Sequence, residues 1–143
     1  MNRFLFIFFF IVSNLLYSQN EEAKQVVVSF FKGFHAKDSV VMKSACSTHM
    51  ILQSISESAK GSKLKTESTS AFYKSIASIP SQLVFEEKLL DFRIQVDGDL
   101  AHIWTPYEFY INTKFSHKGV NAFTLFKDNG QWKIIHLIDT RHK

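Results

Sequence analysis

The side chains with the most to offer chemically lie in the C-terminal third of the chain. His117 and His136 are candidate proton carriers, because an ordinary imidazole titrates near pH 6.5. Tyr107 and Tyr73 are candidate donors to a developing oxyanion. Asp139 is the one acid in the apolar stretch 132–140. Arg141 follows two residues on, which in a strand is the same face, so a local ion pair is the plainer reading of Asp139. A histidine in an apolar strand is likewise more readily a hydrogen-bonded core or interface residue. Asp91, Asp97, Asp99 and Asp128 fall on polar strand positions or in turns, so no pair of acids is visible for acid–base work.

Other chemistries lack their patterns. There is no glycine-rich phosphate loop and no Gly-x-Ser-x-Gly elbow. No histidine pair has zinc-protease spacing, and His136 and Asp139, three apart on a strand, point to opposite faces, so no metal site and no cofactor is expected. Lys60, Lys63 and Lys65 cluster in a Ser/Gly-rich stretch without interleaved aromatics, which argues against nucleic acid. Cys46 is the only cysteine, so no internal disulfide can form; its apolar neighbours suggest a buried, inert thiol.

The elements that must position these groups begin after an address. Met1-Asn2-Arg3, an apolar run from Phe4 to Val12 and the small polar ending Tyr17-Ser18 read as a secretory signal over residues 1–18, with the mature domain covering 19–143. The expectation is an exported protein, periplasmic or secreted, with no membrane contact once the signal is cleaved. The whole chain has 45% hydrophobic and 21% charged residues and a formal net charge of +4, a globular balance for one domain.

Residues 21–35 read as an amphipathic helix, with Val27, Phe30, Phe31 and Phe34 on one face. Asp38 is an N-cap for a short helix over 39–47. Residues 50–55 suggest a short strand, and the polar stretch 54–65 a mobile loop. A third helix is expected over 66–78, with Ala71, Phe72 and Ile76 inward and Pro80 ending it. From there the period changes to two. Leu90, Phe92, Ile94 and Val96 alternate with polar residues, and Asp97-Gly98 predicts a tight turn that sets Ile94 opposite Ala101. A second strand covers 100–111, a third 117–126, and Asn129-Gly130 turns into a fourth over 132–140. That turn pairs Leu125 with Ile134 and Phe123 with His136, placing Asn121, Phe123, Leu125, His136 and Ile138 on one face, with His117 if the strand is regular. Helices first and an antiparallel meander after define an α+β fold with the helices on one sheet face.

The layout resembles the nuclear transport factor 2-like superfamily, the cone fold of ketosteroid isomerase, scytalone dehydratase and SnoaL-like cyclases. Three segments carry the resemblance: Phe30-Phe31-Lys32-Gly33-Phe34-His35-Ala36-Lys37-Asp38, Val96-Asp97-Gly98-Asp99-Leu100-Ala101-His102-Ile103-Trp104, and Phe123-Thr124-Leu125-Phe126-Lys127-Asp128-Asn129-Gly130-Gln131-Trp132-Lys133-Ile134-Ile135. The segment from Ser116 to Phe123, closing with Asp139-Thr140-Arg141, is similar to a secreted bacterial subgroup of unknown function.

The resemblance implies a conical pocket between the helices and a strongly curved antiparallel sheet. The residues expected to line it are Tyr73, Tyr107, His117, Asn121, Phe123 and His136, with His117, His136 and Asp139 as catalytic candidates. A superfamily pattern fixes the fold and leaves the chemistry to the site. With no complete catalytic constellation, the first expectation is binding of a small apolar molecule. The alternatives are a lyase or isomerase working by His/Tyr/Asp proton transfer, and an interaction module. The aromatic run Trp104, Pro106, Tyr107, Phe109, Tyr110 occupies both strand faces, so both must be covered. The resemblance, whose members often dimerise through this sheet face, implies that the outer side pairs two copies as a homodimer, the alternative being an aromatic lining for a planar ligand.

Overall fold

The computed structural model describes residues 3–59 and 61–143, with side chains from residue 19 onward. The signal reading over 1–18 therefore falls partly on Met1 and Asn2, outside the described residues, as does the Lys60 member of the lysine cluster.

Three helices precede most of the sheet: α1 (Arg3–His35), α2 (Ser39–Ala45) and α3 (Thr69–Ala77). Val27, Phe30, Phe31 and Phe34 form the buried stripe of α1, as their spacing predicts. Asp38 caps α2 through its carboxylate, which accepts from the Val40 and Val41 amides at 2.9 and 3.1 Å. In α3 the buried residues are Tyr73 and Ile76. Ala71, expected inward, is exposed, since the buried face is centred on Tyr73 and Ile76.

The strands are β1 (Cys46–Ser58), β2 (Gly61–Glu67), β3 (Phe85–Leu89), β4 (Arg93–Asp97), β5 (Leu100–Ile111), β6 (Lys114–Asp128) and β7 (Gln131–Arg141). They form one curved, open seven-stranded sheet in the order β2-β1-β7-β6-β5-β3, with β4 also pairing β5. The fold is α+β, as expected. The sheet is mixed rather than purely antiparallel, since β1 runs parallel to β7.

Three local readings are corrected. Of the stretch expected as a loop, residues 54–58 and 61–65 instead form most of the β1–β2 hairpin, with Ser54 opposite Lys65 and Ser58 opposite Gly61. Backbone pairing at this sheet edge does not require bulky side chains, so a polar sequence carries it. The β4–β5 turn is Gly98-Asp99, since Asp97 pairs with Leu100; Ile94 therefore faces Ile103, and Ala101 faces Val96. The third concerns β7. Leu125 pairs with Ile134 as the turn predicts, but Thr124 pairs with His136 and Phe123 with Leu137. Ile135 is one extra residue, a β-bulge, and it reverses the facing of everything after it.

The core lies between α1 and the concave sheet face. Phe123 is fully buried at its centre, with the Phe30 and Phe31 rings edge-on at 6.2 and 6.0 Å between centroids. Ring contacts continue outward from Phe31 to Phe34, Phe85, Phe109 and His117, spaced 5.9, 4.9, 5.9 and 4.9 Å apart in turn.

Candidate functional site

Along the concave face the sheet changes character from one cross-strand row to the next. One row is apolar: Leu52 on β1, Leu137 on β7, Phe123 on β6 and Ile103 on β5 stand opposite one another in sequence across the sheet. The row two residues along is polar: Ser54, Asp139, Asn121 and Thr105. These four are the buried polar residues among those described, and they fall in a single line. The β7 bulge makes that line. Without it, His136 would sit beside Phe123, and Asp139 would face outward.

Above this row lies a cavity of about 280 Å³. One wall is aromatic and aliphatic, formed by Phe30, Phe31 and Phe34 of α1, Phe72 and Ile76 of α3, and Phe109 of β5. The polar part of the lining is Glu67, Glu87, Tyr107, His117, Asn121, Asp139 and Arg141. An apolar enclosure with a few convergent polar groups is the usual form of a small-molecule site.

Glu87 is held from two sides. Its backbone N–H donates to His35 Nε2 at 2.9 Å, and its Oε1 accepts from Asn121 Nδ2 at 2.6 Å. Burial raises its pKa to about 7; the Asn121 hydrogen bond opposes that shift and the Asp139 charge adds to it. Asp139 is gripped by Arg141, Nε to Oδ2 at 2.7 Å and Nη2 to Oδ1 at 3.3 Å, a two-pronged pair that keeps the guanidinium firmly protonated. Tyr107 Oη donates to the Thr140 carbonyl at 2.9 Å, and burial pushes its pKa up. His117 stacks on Phe109, and its Nδ1 lies 3.1 Å from Ser116 Oγ. Burial and the Arg141 charge lower its pKa, so the ring is neutral near pH 7.

Tyr107, His117, Asn121 and Asp139 thus meet at one cavity, and Asp139 also makes the expected pair with Arg141. Three expected pocket residues lie elsewhere. His136 is turned to the opposite sheet face by the Ile135 bulge, where its Nε2 lies 3.1 Å from Gln53 Oε1. Ile138 follows it there. Phe123 is sealed beneath the cavity floor in the core. Tyr73 faces a separate cleft between α2, α3 and the start of β1, where it meets the Cys46 thiol. Cys46 is buried, and desolvation raises its pKa to about 11, so the thiol is inert as expected.

Glu87 is the residue that sequence reasoning missed. Its signal was present: Phe85 and Leu89 flank it at two residues on either side, so the three share a face. Among the described residues, no group of acids, histidines and cysteines is arranged to hold a metal ion.

No family model matches the chain, and no curated protein matches it. Solved structures do. A nuclear transport factor 2-like protein of unknown function from Shewanella baltica is 17% identical, with 89% of this chain and 96% of that one covered and a TM-score of 0.66. A nuclear transport factor 2-like protein with a cystatin-like fold from Novosphingobium aromaticivorans is 11% identical over 92% of this chain and 87% of that one, TM-score 0.69. A proposed dehydratase of the same fold family from Streptomyces avermitilis is 12% identical over 88% and 97%, TM-score 0.67. At these identities the likeness establishes the fold: this chain has the nuclear transport factor 2-like, cystatin-like architecture.

Proposed function

We propose that the protein binds a small molecule, apolar over most of its body and polar at one end, in the cavity between α1, α3 and the concave sheet. The observation that carries this is a cavity whose lining combines a cluster of phenylalanines with a few convergent hydrogen-bonding groups. The volume corresponds to about nine waters at about 30 Å³ each, which suits a single-ring compound. Incubating the purified protein with a metabolite extract and identifying retained compounds by mass spectrometry tests the reading. Retention of a ring-sized compound, lost in a Phe31→Trp variant that fills the cavity, supports it. Recovery of nothing, with no compound shifting the cavity resonances by NMR, overturns it.

A second reading is proton transfer of the lyase or isomerase kind. It is favoured by Glu87, a carboxyl poised to gain or lose a proton near neutral pH, which lines the same cavity as the His117 imidazole, with Phe109 on the strand between them. A dehydratase assignment for one protein of the same fold is consistent with it. The residues for it are Glu87, His117 and Tyr107, with Asp139 held in its ion pair and His136 uninvolved.

The remaining parts of the reading rest on sequence and surface. The signal pattern over 1–18 supports export, in the manner of the secreted subgroup that the chain resembles. On the outer face of β5, Trp104 is exposed and Pro106 and Tyr110 are half-buried, which supports pairing of two copies through this face, or docking of another protein. Sedimentation of the purified protein distinguishes a dimer from a monomer.

A further inference from the structure

The charges around the cavity are nearly all accounted for. Asp139 is paired with Arg141 through both oxygens. Glu67, at the end of β2, is paired with Lys65. Tyr107 spends its hydroxyl proton on Thr140. His117 is neutral, and the His35 ring beneath Glu87 is also held neutral, its Nε2 accepting the Glu87 amide. The side chains that α3 contributes, Phe72, Ser75 and Ile76, carry no charge. Glu87 alone has no cation in contact: its one side-chain hydrogen-bond partner is the neutral amide of Asn121, bound to Oε1, and the Arg141 charge reaches it only from the pair with Asp139. Glu87 lines the cavity together with Asn121. Directly across the strand pair from Glu87 stands Phe109.

From this accounting we infer that the polar end of the ligand is a single positive charge: the cavity takes a small organic monocation, an ammonium or amidinium on a ring-sized apolar body, seated against Glu87. The inference rests on the cavity-binding reading above and adds the ligand's charge. An anionic ligand would meet Glu87 and Asp139 with Arg141 already engaged. A neutral one would leave Glu87 either protonated or as an uncompensated charge. A cation neutralises the carboxylate and gains the negative faces of the surrounding phenylalanine rings as well.

Three ring-sized probes test it: benzylamine, benzyl alcohol and benzoate, each titrated into the full-length protein at pH 6, 7 and 8 and followed by NMR shifts of cavity resonances. At pH 8 benzylamine binds at least about tenfold more tightly than benzyl alcohol, and benzoate binds most weakly. The amine's advantage shrinks toward pH 6, because Glu87 gains its proton there. Glu87→Gln removes the advantage, so that amine and alcohol bind the variant equally. Equal binding of amine and alcohol at pH 8 in the wild-type protein, or an advantage that survives in Glu87→Gln, overturns the inference while leaving the cavity reading intact. If none of the three binds, the inference fails, and the cavity reading is decided separately by the metabolite extract. The wild-type pH series decides the matter even where the variant folds poorly.

Discussion

Tyr107 Oη reaches the Thr140 carbonyl at 2.9 Å by passing directly over Gly119. A β-carbon placed on Gly119 would lie 1.8 Å from that carbonyl oxygen and 3.0 Å from the Tyr107 ring. The glycine is therefore the gap through which β5 is fastened to β7 across β6. The first contact is backbone, which cannot swing aside as a side-chain tip can. Gly119→Ala should therefore destabilise the fold by about 1–3 kcal/mol or more in urea unfolding. An unchanged midpoint would show that the tyrosine does not hold this path in solution.

Glu87 should make stability depend on pH in a defined window. Its folded pKa of about 7 lies above its ordinary 4.5, so the folded state holds the proton more tightly than the unfolded chain. The associated stability is fully present below about pH 4.5 and is lost as pH rises to about 7. Glu87→Gln, which cannot ionise, should be the more stable protein at pH 8 by up to about 3 kcal/mol, and the difference should shrink toward zero at low pH. Parallel denaturation curves from pH 4 to 8 measure it.

Asp139 contributes to that raised value. Asp139→Asn removes a negative charge near Glu87 and releases Arg141, and both changes favour the ionised form of Glu87. The Glu87 titration, followed by carboxyl ¹³C NMR, should move to lower pH. A shift upward would mean that Arg141 leaves the cavity when its partner is removed.

The two histidines should behave oppositely. His117→Ala removes a ring that stacks on Phe109 at the cavity wall, and it should weaken binding of any cavity ligand. His136→Ala should leave binding unchanged and cost about 1 kcal/mol of stability from its contact with Gln53. Equal effects on binding would contradict the placement of the Ile135 bulge.

Where sequence and structure agree, the cause is local. The bounds of β5 follow from alternation between two turns, Asp38 caps α2 by its own side chain, and the Asn129-Gly130 turn sets Leu125 against Ile134. Where they part, the cause is an insertion or an edge. Nothing in Ile134-Ile135-His136-Leu137 marks the bulge, because isoleucine suits either face of a strand. Glu87 escaped notice because the alternation was read from Leu90 onward, whereas Leu90 follows β3 and is half exposed. The β1–β2 hairpin was hidden by its serines and lysines. The largely aromatic stripe of α1, by contrast, was legible, since Val27, Phe30, Phe31 and Phe34 at helical spacing have one face to share.

The Ile135 bulge behaves like a frameshift in a strand. Every residue before it keeps its assignment, and every residue after it trades sides. The two alternative frames carry different functional vocabularies: one presents His136 and Ile138 to the cavity, the other Leu137, Asp139 and Arg141. The ionic character of the interior is thus decided by the length of the chain at one point rather than by the identity of any residue there. Deleting a single isoleucine, with no charged group altered, would rewrite the site.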